Sequence, residues 1–181
     1  MFEGVESFGS NISDIFISLS SEYPAILDAF LIFFGAVGVF IGATAVFDVI
    51  KMGGQTGRGQ GSSGVIAGKL IGGVGLIDLA FWAKTWSSTI WANDDPLGIS
   101  SYSNTGSSDN SEAAIAAALG IMAIAGYVVI GRAYLGIAKL GHLQPDARSD
   151  LIGNIFARIV AGSALISATH IAAAFKNSSG F

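Results

Sequence analysis

Long apolar runs broken by short polar stretches set the pattern of this chain. A helix that crosses a bilayer needs about 20 mostly apolar residues. Four runs reach that length: Ala25–Ile50, Val65–Trp91, Ala113–Leu140 and Leu151–Phe175. The first is the most uniform, free of charge between Asp28 and Asp48, and the other three carry isolated charges. The predicted fold class is therefore all-α: a membrane protein of four transmembrane helices arranged as two tandem helical hairpins. A short N-terminal amphipathic helix is predicted ahead of them. Within Met1–Tyr23, which is too polar to cross, Ile12, Ile15, Phe16 and Leu19 share one helical face. That face suits an outer-surface interfacial helix, and a frayed terminus fits equally well. The expected segments are 1–23 (amphipathic), 24–91 (first hairpin), 92–112 (acidic outer loop), 113–175 (second hairpin) and 176–181 (tail).

The hydrophobic line is written twice. "GVFIGATAVFDVIKMGG", from Gly38, lies over "GYVVIGRAYLGIAKLGH", from Gly126, without a gap. Gly38 falls on Gly126, Ala45 on Ala133, Lys51 on Lys139 and Gly53 on Gly141. The second helices align as well. "GKLIGGVGLIDLA" from Gly68 matches "ARIVAGSALISAT" from Ala157, with Lys69 on Arg158, Gly73 on Gly162 and Ile77 on Ile166. The unit reads as apolar helix, lysine, loop, basic residue, apolar helix. Two crossings per unit give both copies the same orientation, which makes a parallel repeat. Chance likeness between apolar spans is the competing explanation.

Charge orients the pattern. The first and third connectors carry Arg58 and Arg148, flanked by Lys51, Lys69, Lys139 and Arg158. The middle connector carries Asp94, Asp95, Asp109 and Glu112 and no basic residue. Basic residues concentrate on cytoplasmic loops. The first and third connectors are therefore expected on the cytoplasmic side, with the termini and the acidic loop outward. The six basic residues would snorkel to lipid headgroups and fix helix depth. Ala43-Thr44-Ala45 has signal-cleavage spacing, but no positive n-region precedes it, so no cleavage is expected there.

Composition agrees with burial in lipid. Charged residues make up 12% of the chain, mean hydropathy is +0.62, and there are 25 glycines and 3 prolines. Soluble domains average about 25% charged residues. A net charge of −4 argues against nucleic-acid binding through a general basic surface. Cysteine is absent, so neither disulfides nor thiolate metal sites can form.

Small residues four apart let helix backbones approach closely. Gly38 and Gly42, Gly68 and Gly72, and Ala114 and Ala118 have this spacing and are the expected packing positions. Asp78, Arg132 and His170 are the intramembrane polar residues. Charges at that depth pair with one another or line a wet path. Counted from Lys69 and Lys139, Asp78 and Arg132 sit about 13 and 10 Å deep, which suits an ion pair between them. Lys84 lies nearer the outer surface, with Trp82, Trp86 and Trp91 as interfacial aromatics.

Nothing points to an enzyme. His142 and His170 lack a second ligand at metal spacing. "GGQTGRGQG" lacks the Lys-Ser/Thr ending of a phosphate loop. No catalytic residue, cofactor or metal site is expected, and a bound phospholipid is the expected small molecule.

"EYPAILDAFLIFFGAVGVFIGATAVFDVIKMGGQ", followed by "GVIAGKLIGGVGLID", resembles the IcmC/DotE family. These are small inner-membrane proteins of type IVB secretion systems, related to TraQ-like conjugative transfer proteins. The likeness covers Glu22–Asp78, and the connector Ala92–Glu112 has no counterpart in it. Each hairpin also looks like a conjugative pilin, which has two apolar helices joined by a short basic loop. The resemblance implies a non-enzymatic subunit of a conjugative transfer or type IVB secretion apparatus. In its pilin-like form it would polymerise into a lipid-containing extracellular pilus. Lys51, Arg58, Lys69, Lys139, Arg148 and Arg158 would then face phospholipid or, indirectly, transported DNA or protein. The implied partners are phospholipid, further copies of the chain and other secretion-system subunits. The alternative is an ion or small-solute channel or transporter lined by Asp78, Arg132 and His170.

Overall fold

A computed structural model describes residues 22–54, 63–92, 110–168 and 170–171, with single positions at 15, 18 and 178. The expected N-terminal helix, Arg58, most of the acidic connector and the tail lie outside the described residues. Among the described residues the regular structure is helical throughout. Helix α1 is Tyr23–Gly54, α2 is Ser63–Ile77, α3 is Leu79–Trp91, α4 is Asn110–Lys139 and α5 is Pro145–Ile166. A 3₁₀ turn, Leu140–His142, follows α4.

Local chemistry places the ends. Pro24 and Pro145 sit in the first turns of α1 and α5, where no intrahelical N–H donor is needed. Lys51 and Lys139 sit in the last turns of α1 and α4, where a cation meets the negative end of the helix dipole. Gly53 and Gly54 close α1.

Helices α1, α4 and α5 are long and apolar enough to cross a membrane. A fourth crossing exists only if α2 and α3 count as one span, and they meet at 88°. The expected straight run Val65–Trp91 is therefore broken. Asp78 leaves the helical region at φ −116°, ψ 51°. Its N–H still bonds Val74 O at 3.2 Å, and its own carbonyl accepts from Trp82 at 3.2 Å, so little backbone bonding is lost. The bend lays Leu79, Ala83 and Ser87 inward, and all three are buried. Burial of that small and apolar face outweighs the continuity that hydropathy implied.

The fourth apolar run also departs from expectation. Helix α5 begins at Pro145 and ends at Ile166, with a turn at Ser167 before Ala168 resumes helix. Ser167 is the position that aligns with Asp78, so the two second helices break at the same place in the pattern.

Helix α1 packs on α2, and α4 on α5, while α2 and α4 bring the two pairs together. The core follows from this order. Tyr23, Leu27 and Phe34 of α1 meet Leu76 of α2 and Ala123, Tyr127 and Ile130 of α4. A second cluster joins Ala133 of α4 to Ile155 and Ile159 of α5. Helix α4 is central, with 50% of its most apolar stretch buried against 17% for α1.

Candidate functional site

The closest helix contacts are made by glycine, and they come in matched sets. A methyl group added at Gly38 would lie 2.6 Å from Gly73 O and 2.8 Å from Ile77 N. One added at Gly126 would lie 2.6 Å from Gly162 O and 3.0 Å from Ile166 N. Each residue of the first set aligns with its counterpart in the second. Both crossings need glycine because backbone, which cannot rotate away, stands opposite.

Gly68 and Gly72 do not face α1. They face α4, where a methyl at Gly68 would lie 3.0 Å from Ile137 O, and one at Gly72 would lie 2.8 Å from Ala138 N. Gly42 has open space beyond its Cα, but its backbone receives Gly73, whose added methyl would lie 3.2 Å from Gly42 N. Ala118 faces outward. Ala114 lies in α4, and its side chain is outside the described set.

Polar side chains inside the bundle bond to one another. Tyr23 donates to Ala117 O at 2.8 Å, tying the start of α1 to α4. Trp86 Nε1 donates to the Tyr134 hydroxyl at 3.1 Å. Ser87 and Ser167 hydroxyls meet at 2.5 Å, and Trp91 Nε1 donates to Ser163 Oγ at 3.1 Å. Helix α3 thus crosses from the first helix pair to grip α5. Among the described residues, no buried side-chain nitrogen or oxygen lacks a partner.

Among the described residues an ion pair joins Lys69 Nζ to Asp48 Oδ2, 2.5 Å apart and half-buried. It links α2 to α1 near the end of the bundle that carries Lys51. The aligned position for Asp48 is Gly136, which packs on Ile155 instead. Arg158, the counterpart of Lys69, therefore has no carboxylate at the equivalent place, and it forms no ion pair among the described residues. Lys51, Lys139 and Arg148 are exposed, and Arg148 donates to Leu143 O at 3.2 Å.

Asp78 and Arg132 do not pair. Both are exposed, and no ion pair joins them. Counting residues estimated their depth but not their direction. Arg132 is two positions from Tyr134, about 200° round α4 at 100° per residue, and Tyr134 is the residue that meets α2. Arg132 is thus turned away from the helix that leads to Asp78. His170 is exposed as well.

Asp48 and the serines of α3 and α5 escape sequence reasoning. The signal for Asp48 was present, since a carboxylate in an apolar run needs a cation. The serine contacts carried no signal, because they depend on the bend at Asp78. Among the described residues, no group of histidine and acidic side chains could hold a metal ion. Compared with known protein families, curated proteins and solved structures, the chain finds no match.

Proposed function

We propose that this chain is a non-enzymatic integral membrane subunit of a conjugative transfer or type IVB secretion apparatus. Two tandem hairpins, each crossing twice, would carry it in the bacterial inner membrane. The observation that carries this reading is the repeated crossing, Gly38 on Gly73 and Gly126 on Gly162. It is the contact expected of a duplicated, pilin-like helix pair. The interior polar side chains tie the helices to one another. The IcmC/DotE likeness of Glu22–Asp78 names the apparatus.

In this reading α2, about 22 Å long at 1.5 Å per residue, rises through most of the roughly 30 Å hydrocarbon layer. Helix α3 then turns along the outer headgroups. Its three tryptophans and Lys84 suit that plane. Lys51, Lys139, Arg148 and Arg158 lie at the inner headgroups with phospholipid as partner, and the pilin-like extension has the chain leave the membrane with that lipid.

Affinity purification of the tagged full chain from native membranes in mild detergent tests the reading. Apparatus subunits should copurify, and deletion of the gene should abolish transfer or secretion. Normal transfer after deletion would overturn it. A channel is the second reading, favoured by the helix break at an exposed Asp78, since discontinuous helices build transport sites. It predicts ion flux in vesicles that is lost in Asp78→Asn.

A further inference from the structure

The contact between the two helix pairs is unsymmetrical: α2, second in its pair, meets α4, first in its pair. On the α2 side the contact is a stripe of buried glycines, Gly68, Gly72 and Gly75. A methyl at Gly72 would sit 2.8 Å from both Ala138 Cβ and Tyr134 O, and one at Gly75 would strike the Tyr134 ring. On the α4 side the face is Tyr134, Ile137 and Ala138.

The alignment carries both faces to the free edges of the molecule. The glycine stripe of α2 becomes Ala157, Ala161 and Ala164 of α5, one methyl group larger at each position, with Ala157 and Ala161 exposed. The face of α4 becomes Val46, Val49 and Ile50 of α1, which are 53%, 48% and 62% exposed. Each outer helix thus displays the surface that its counterpart buries inside the chain.

We propose that copies of this chain associate head to tail, with α5 of one copy against α1 of the next, repeating between molecules the α2–α4 contact within one. Ile50 then faces Ala161 as Ala138 faces Gly72. Alanine in place of glycine sets the helices slightly further apart, and Val46 and Ile50 stand opposite the alanines. Such an interface is heterologous, so it closes into a ring or runs on as a filament, and a two-fold dimer does not satisfy it. The inference deepens the subunit reading above. It rests on the two helix pairs being copies, not on which apparatus they serve.

The chain has no cysteine, which makes disulfide trapping in native membranes direct. Differently tagged full chains carrying Ile50→Cys and Ala161→Cys, coexpressed and oxidised, should give a mixed dimer. One chain carrying both substitutions should give a ladder. Ser87→Cys with Ser167→Cys, at hydroxyls 2.5 Å apart, is the in-chain control. Phe40, 71% exposed, lies about a third of a turn round α1 from the proposed face. Phe40→Cys with Ala161→Cys should cross-link at least tenfold less. Adding Ala157→Trp should abolish the ladder while the in-chain disulfide still forms. Ile50 to Ile50 as the main product would mean a two-fold dimer and overturn the proposal. Monomer alone, with the in-chain control closed, would mean lipid covers both faces and would overturn it too. A ladder without copurifying apparatus subunits would sink the secretion reading and spare this one.

Discussion

Helices α1 and α2 and helices α4 and α5 cross at aligned glycines, yet they live in different surroundings. The first pair is peripheral and ionic: α1 is largely exposed, and Asp48 holds Lys69 across the crossing. The second pair is central and apolar: α4 is half-buried, and Gly136 packs on Ile155 where the first pair has a carboxylate. The crossing point is thus the shared requirement, and charge is adjusted to position. A helix at the rim can keep an ion pair that stays partly exposed. A helix packed on four neighbours gains more from close contact.

The largest effects should come from the crossings themselves. Gly38→Ala and Gly126→Ala each push a methyl group onto a carbonyl 2.6 Å away. Each should cost about 1–3 kcal/mol in thermal or denaturant unfolding in detergent. Gly126→Ala should cost more, because α4 has less room to move. Gly153→Ala, where an added methyl meets nothing within 4 Å, should be neutral or stabilising by up to about 1 kcal/mol. Equal loss at all three positions would remove the distinction between crossing and surface glycines.

Next comes charge. Lys69→Met should lower the melting temperature more than Arg158→Met, because it leaves Asp48 without its cation. Adding Asp48→Asn to Lys69→Met should recover part of the loss. If Arg158→Met is the more damaging, the second pair holds an ionic contact of its own.

The alignment of Gly38 with Gly126 and of Gly73 with Gly162 was legible in the sequence because close backbone contact leaves one residue type to choose from. The ends of α1 and α4 were legible too, through Lys51 and Lys139. The bend at Asp78 was not. Hydropathy averages over a window, and Val65–Trp91 is apolar enough on average to hide a change of direction. The missing Asp78–Arg132 pair follows from that gap, since depth along an axis says nothing of azimuth. Glycine spacing alone also could not say that Gly72 and Gly73, adjacent in sequence, serve different neighbours.

The smallest effects should lie where α3 reaches from one pair to the other. Trp91→Phe removes the bond to Ser163, but Ser163 keeps its bond to Val160 O at 2.9 Å. The expected loss is about 0.5–1.5 kcal/mol. Ser87→Ala should cost about as much, read in the same unfolding assay. A loss several-fold larger would mean that α3 is what holds the pairs together.

The central claim is that the two pairs enter the membrane the same way round. Single cysteines at Lys51, Arg148 and Lys84, labelled in intact cells with a membrane-impermeant maleimide before and after permeabilisation, test it most directly. Lys51→Cys and Arg148→Cys should label only after the inner membrane is opened, and Lys84→Cys should label from outside. Labelling of Lys51→Cys and Arg148→Cys from opposite sides would contradict the claim.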